Sequence, residues 1–387
     1  MRPLDAVYAC VVAAVAAALL TPLAAALARR LGAEDRGPAR GLGERGTPLL
    51  GGLAILAAVL IASLIWLPDR PEVRGILAGA VLITLVGAVD DIWDLPWLVK
   101  LGGQVLAALI PVLSHVTVDA VTLPFIGHLG FGWAAGPLTL VGLVGLMNVV
   151  NFSDGVDGLA AGVCAISGAA FAVIAFDLQR DPAGTLAALT AGAALGFLVH
   201  NFHPASVYMG DCGSNLLGYL LGCVAVYGTL KTNAVIALIA PLAILAVPFL
   251  DTSFVIAKRL KYRRKVWSAD ANHFHHRFAR IGFSQRRTVL YLYAWTLCLA
   301  GLAVALRFVP YSDHHGHFNT GWSLVMAALG LVALAASVYL VYVLEILKFR
   351  RLRERQLRGR EPEADEIEIE RRVAHEVETG EWEAVGG

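Results

Sequence analysis

Charge is scarce in this sequence. Only 16% of its 387 residues are Asp, Glu, Lys or Arg, against about a quarter in an ordinary soluble domain. That scarcity argues against the two soluble domains its length alone would allow. Also missing are the amphipathic stripes by which surface helices bury one face. No CxxC pair occurs, and the five cysteines (Cys10, Cys164, Cys212, Cys223, Cys298) lie in or beside apolar stretches. Such a scattered set reads as small core residues, not as a disulfide framework or zinc knuckle. A net charge of +1 offers nucleic acid no general attraction, and none is expected as a partner.

What is abundant is apolar sequence, 57% of the chain, gathered in blocks of about 20 residues, the length that crosses hydrocarbon. About eleven such spans can be read, near 5–28, 48–67, 72–90, 97–114, 137–153, 157–177, 183–200, 212–229, 234–257, 287–308 and 321–347. Backbone groups in lipid must bond internally, so each span is expected to be a helix. Arg29 and Arg30 follow the first span, which reads as an anchor and not as a removed signal. The expected fold is all-α, a polytopic membrane bundle. Residues 1–347 form one transmembrane domain, including a loop at 258–287, and 348–387 form a charged tail.

Basic residues orient the bundle. With the amino terminus outside, only Arg2, Arg70, Arg74, Arg180, Lys231 and Arg307 of 31 lysines and arginines fall outside. The rest lie in segments 29–47, 91–100, 258–287 and the tail, which makes these cytoplasmic. The tail runs from basic (Lys348 to Arg360) to acidic (Glu361 to Glu383). It reads as a solvated segment, its basic part lying against anionic headgroups.

Four polar groups stand where a membrane should exclude them. Asp90, Asp91 and Asp94 close the third span. On a helix Asp90 and Asp94 would share a face with Asp91 alongside, and three such carboxylates need a cation or proton between them. Acidic residues also mark simple helix exits, but such clustering inside a membrane protein favours function. The second group is Asn148, Asn151, Asp154 and Asp157, a polar residue at every third position. Gly155 and Gly158 would let the backbone break and gather these side chains into a pocket. Asparagine suits a nucleobase or an amide sugar, although one or two such residues can be plain helix–helix glue.

The third group runs from His200-Asn201-Phe202-His203-Pro204 to Tyr208-Met209-Gly210-Asp211-Cys212-Gly213-Ser214-Asn215. The free amides of a helix starting here would face an anion, Gly213 permitting close approach. Asp211 would hold a magnesium ion that also binds phosphate, or else cap the helix. The fourth group, Asp270-Ala-Asn272-His273-Phe274-His275-His276-Arg277, lies in the basic loop and suits a diphosphate. Zinc on His273 and His276 ranks lower, because no clear fourth ligand is near. His314, His315 and His317 read as surface histidines of an outside loop.

All four groups fall at inside ends, and together they suit phosphoryl transfer, which runs on positioning and charge neutralisation. The motifs Val-Asp-Asp-x-x-Asp, Asn-x-x-Asn-x-x-Asp-Gly-x-Asp-Gly-Leu-Ala, Tyr-Met-Gly-Asp-x-Gly-Ser and His-Phe-His-His-Arg come in this order. The chain thereby resembles the polyprenyl-phosphate N-acetylhexosamine-1-phosphate transferase family, and Thr47-Pro48-Leu49-Leu50-Gly51-Gly52 resembles that family's first loop. The similarity covers about residues 29–290. It implies an enzyme using magnesium, with manganese as an alternative. A polyprenyl phosphate attacks the sugar-bearing phosphorus of a UDP-sugar and releases UMP.

By resemblance Asp90, Asp91, Asp154 and Asp157 are catalytic carboxylates, and Asp211 with Asp154 holds the metal. Asn151, Asn201, Tyr208, Asp94, Asp251, His273, His275, His276 and Arg277 are then substrate-binding, Tyr208 stacking on uracil. Cys212 departs from the family's small residue after the aspartate. The spaced His-x-His-His form resembles the branch that takes UDP-GlcNAc. The branch that takes UDP-MurNAc-pentapeptide carries three consecutive histidines. The expected reaction is therefore GlcNAc-1-phosphate transfer, starting a cell-envelope polysaccharide at the cytoplasmic face of the cell membrane, by a chain that could be a homodimer. An ion-coupled transporter would need inverted repeats and midplane acids, and neither is evident.

Overall fold

The computed structural model describes residues 3–35, 46–123, 127–229, 285–309 and 319–342, with isolated positions in the tail. Ten α-helices occupy these residues: α1 Pro3–Leu31, α2 Gly51–Trp66, α3 Pro71–Trp93, α4 Trp97–Leu113, α5 Ala135–Ser153, α6 Leu159–Asp177, α7 Asp181–Asn201, α8 Gly210–Val224, α9 Gln285–Phe308 and α10 Thr320–Tyr342. They fall on ten of the expected spans. The expected span near 234–257, the basic loop and most of the tail lie outside the described residues. Six of the helices (α1, α3, α5, α6, α7, α9) are long and apolar enough to cross a membrane.

The chain is not wholly helical. Between α4 and α5 the strands β1 Ala120–Leu123 and β2 Gly127–Gly130 pair antiparallel. Hydropathy could not single out this hairpin, because its strands are too short to differ from an ordinary loop.

The first helix is inverted relative to one of a soluble protein. In α1, Ala9, Ala13, Ala17 and Ala28 are fully buried, while Leu19 and Leu23 are 70% and 65% exposed. Lipid is as apolar as leucine, so hydrophobicity does not draw these helices together. Close backbone packing through small residues does so instead. Opposite α1, a Cβ on Gly192 or Gly196 of α7 would overlap the backbone at Cys10 or Ala14. These two glycines are one turn apart and let α1 and α7 touch backbone to backbone.

At the centre stands α8, buried at every residue from Cys212 to Val224. It is packed by α2, α3, α5, α6 and α7, and the Tyr219 hydroxyl donates to the Ile76 carbonyl at 3.0 Å. A helix buried on all sides has its amino-terminal end as its accessible part. That end carries Asp211, and the carboxy-terminal ends of α3, α5 and α7 and the start of α4 meet there.

Candidate active site

The site is assembled around Lys100, in the first turn of α4. Its ammonium lies 2.5 Å from Asp90 Oδ2 and 2.8 Å from Asp211 Oδ2. Asp90, buried near the end of α3, also accepts from the Leu95 amide through Oδ1 at 2.7 Å. Asp211 Oδ1 accepts from Asn151 Nδ2 at 2.9 Å, and the same amide reaches Ser214 Oγ at 2.9 Å. One cation and one amide thus hold two carboxylates from sequence-distant helices, as charged groups out of water require. Sequence reasoning counted Lys100 only toward membrane orientation. Its signal was a lone lysine one turn into an apolar helix just after three aspartates.

Asp91 faces elsewhere. Its Oδ1 and Oδ2 accept the backbone amides of Asp211 and Cys212, at 2.8 and 3.1 Å. The anion at the start of α8, expected to be a substrate phosphate, is this carboxylate. Gly213, expected to admit that phosphate, instead packs on α2 at Gly52. Asp94 does not share a face with Asp90. Helix α3 ends at Trp93, and Asp94 follows in a left-handed conformation (φ 54°), exposed, its amide on the Asp90 carbonyl at 2.8 Å.

The second motif divides in two. Asn148, expected to suit a nucleobase, donates through Nδ2 to Gln104 Oε1 and the Val144 carbonyl, each at 2.8 Å. Gln104 in turn donates to Asn215 Oδ1 at 2.8 Å, and Asn215 to the Asp211 carbonyl at 2.8 Å. This buried chain ties α4, α5 and α8 together behind the site, a glue role. Past Asn151 the helix breaks, as its glycines lead one to expect, with Gly158 at φ 79°.

In that break, Asp157 Oδ2 meets His203 Nδ1 at 2.7 Å and accepts the Ala205 amide at 3.1 Å. Asn201, expected to bind substrate, is buried with both ends committed. Its Oδ1 accepts the Gly158 amide and its Nδ2 donates to the Val207 carbonyl, both at 3.0 Å. It holds two loops together. His203, whose pairing with Asp157 no sequence signal gave, also offers its carbonyl to Arg286 Nε at the start of α9 (3.0 Å).

Asp154 differs from its neighbours. Among the described residues, no hydrogen bond or ion pair engages its half-buried carboxylate. Burial above all, then the negative charge of Asp211, Asp91 and Asp157, pushes that carboxyl well above the usual carboxylate range. A bound cation would reverse that balance. Tyr208 is half-buried, and its backbone joins two motifs. Its amide donates to the Pro48 carbonyl at 2.9 Å, while Gly51 and Gly52 donate to the Tyr208 and Met209 carbonyls at 3.0 Å. Asp251, His273, His275, His276 and Arg277 lie outside the described residues.

These features define a multi-pass membrane protein whose helix ends enclose a small acidic site bridged by lysine. Comparison with known proteins agrees with the motifs. Residues 73–229 match glycosyl transferase family 4. A probable undecaprenyl-phosphate N-acetylglucosaminyl 1-phosphate transferase of Bacillus subtilis is 33% identical over 310 residues, 79% of this chain and 86% of that protein. A decaprenyl-phosphate N-acetylglucosaminephosphotransferase of Mycobacterium leprae is 35% identical, covering 85% of this chain and 89% of its own. A phospho-N-acetylmuramoyl-pentapeptide-transferase of Moorella thermoacetica is 33% identical over 77% of this chain and 97% of its own. The chain belongs to glycosyl transferase family 4.

Proposed function

We propose that this protein transfers GlcNAc-1-phosphate from UDP-GlcNAc to a polyprenyl phosphate, releasing UMP and starting a cell-envelope polysaccharide. The observation that carries the reading is Lys100 between Asp90 and Asp211. Beside it lie Asn151 and a carboxylate, Asp154, with no partner among the described residues. An oxygen of the lipid phosphate attacks the sugar-bearing phosphorus, and the bond from that phosphorus to the oxygen of UMP breaks. Lys100 draws the phosphates in and stabilises charge on their oxygens, while Asn151 holds Asp211 in place. Asp90 fixes the lysine, and a phosphate dianion needs little deprotonation before it attacks.

The donor set fits magnesium. Among the described residues no three His, Cys, Asp or Glu side chains group closely enough to hold a metal. Magnesium, however, typically takes one or two protein carboxylates and leaves its other positions to phosphate and water. Asp211 and Asp154 are the two that would hold it, and manganese would suit the same oxygens. The chemistry it supplies when bound is neutralisation of the diphosphate.

Donor choice is tested by UMP release from purified protein with polyprenyl phosphate, magnesium and either UDP-GlcNAc or UDP-MurNAc-pentapeptide. UDP-GlcNAc is expected to react about 100-fold faster, the scale of discrimination that pocket shape alone can reach. Equal rates would move the chain to the pentapeptide branch, a reading kept open by the Moorella relative. The motivation for GlcNAc is the His273-Phe274-His275-His276 spacing together with the two GlcNAc-named relatives.

The site faces the cytosol of the cell membrane on this reading, with about eleven spans and the amino terminus outside. Support comes from the basic residues of 29–47 and 258–287, which in sequence adjoin the end of α1 and the start of α9. Single cysteines placed in 258–287 should resist an impermeant thiol reagent in intact cells. Labelling there would reverse the orientation and leave the chemistry untouched.

A further inference from the structure

The paired aspartates at the end of α3 look equivalent in sequence and are not equivalent in space. Asp90 points to Lys100 and the open site. Asp91 turns back onto the first turn of α8, its two oxygens each receiving one amide, from Asp211 and Cys212. The first amides of a helix have no partner within it, and they carry the positive end of the helix dipole. A carboxylate from a neighbouring helix satisfies both needs at once.

Two glycines shape the fit. Gly87 lies one turn before Asp91 on α3, and a Cβ there would come within 2.5 Å of the Cys212 nitrogen and 2.7 Å of the Asp211 carbonyl carbon. Gly210, at φ 68°, would drive a Cβ into the Asp91 carboxyl, 2.7 Å from its carbon. Helix α3 is therefore docked against the start of α8 at backbone distance, and the carboxylate fills the remaining gap. Both amides belong to Asp211 or its neighbour, so the contact fixes the backbone from which the Asp211 side chain projects.

We propose that Asp91 is a positioning residue: it clamps the first turn of α8 and so aims Asp211, and it touches neither substrate nor metal. The proposal rests on the reading of Asp211 as a metal ligand. The two aspartates then divide their work, Asp90 acting at the site through Lys100 and Asp91 acting only through Asp211. Loss of such a supporting contact costs about 10- to 100-fold in metal affinity or activity.

Asp91→Asn is the informative variant, because the amide keeps the shape and one acceptor oxygen while losing the charge. UMP release should persist, with the magnesium concentration for half-maximal rate raised about tenfold or more. Excess magnesium should recover much of the turnover. Asp91→Ala, with no acceptor, should be weaker still. A group that touched the reacting phosphates would behave differently. Asp91→Asn would then be as inactive as Asp211→Asn at every magnesium concentration, and that result would overturn the proposal.

A second measurement needs no substrate. Amide hydrogen exchange of the peptide containing 210–213 should quicken by at least about tenfold in Asp91→Asn, as expected for a weakened charge-assisted hydrogen bond. Exchange in the core of α8 near Tyr219 should stay unchanged. Unaltered exchange at 210–213 in a folded variant would equally sink the clamp. This arm holds whatever reaction the enzyme runs, so failure of the proposed function and failure of the clamp are told apart. Should Asp91→Asn not fold, Asp91→Glu and Asp91→Ser carry both measurements.

Discussion

Asp211→Asn is expected to lose turnover by well over about 100-fold, more than the loss typical of an outer-shell metal contact, while the protein still folds. The amide is nearly isosteric with the carboxylate. Its oxygen can still accept from Asn151, and Lys100 keeps Asp90 as a partner. What disappears is one negative charge at the start of α8, and an amide oxygen is a far poorer magnesium ligand than a carboxylate. The check is UMP release across a magnesium titration, alongside a melting curve in the same detergent. A melting temperature close to the parent's with turnover gone is the expected pair. Near-normal turnover at limiting magnesium would remove Asp211 from the metal site and leave Asp154 as the remaining carboxylate for the role.

The helices were legible because a membrane imposes a simple rule on composition. A stretch of about 20 apolar residues has few alternatives to a helix in lipid, and α1 to α8 fall where that rule puts them. Rotation about each helix axis was not legible. In a soluble helix the apolar stripe gives the buried face. Here both faces are apolar, and the inward face of α1 is marked by alanines and Thr21, a weaker signal than leucine against lysine. The hairpin at 120–130 escaped for the opposite reason, its strands being too short to show a period.

The same blindness to rotation explains the site. That Asp90 and Asp211 belong together could be read from their motifs, but the direction of Asp91 could not. Neighbouring residues on a helix differ by roughly 100°, and only the packing of α3 on α8 says which one meets the amides. Asp94 shares the face of Asp90 only if the helix continues through it. The left-handed turn at Asp94 ended it one residue too soon.

Asn148 and Asn201 are legible as polar, but the partners their amides take within the protein are not. Buried amides serve loops and neighbouring helices as readily as ligands, and spacing alone does not distinguish the two. The signal of Lys100, a lone lysine in an apolar helix after three aspartates, is too slight to name its partners. Its meaning comes from two carboxylates, one of them 111 residues away.

Lys100→Met is the complementary test, and it should separate the lysine from the metal. Methionine keeps most of the length and the apolar stem and removes the charge. In the parent protein the ammonium is the only cation among the described residues that contacts both Asp90 and Asp211. Without it the two carboxylates, together with Asp154, make the site more negative. Magnesium should therefore bind at least as tightly as before, by coulombic attraction alone. Turnover should nevertheless fall by about 10²- to 10³-fold, the usual cost of removing a fixed donor from developing charge in a closed site. Added magnesium should not restore it, in contrast to Asp91→Asn. Lys100→Arg should fall between the two, since it keeps the charge but replaces a compact ammonium with a wider planar fork. Magnesium should also raise the melting temperature of Lys100→Met by more than that of the parent, because the metal then relieves repulsion that the lysine had relieved. If Lys100→Met turns over normally once magnesium is saturating, the lysine only holds the carboxylates until the metal arrives, and the charge acting on the phosphates must come from elsewhere in the chain.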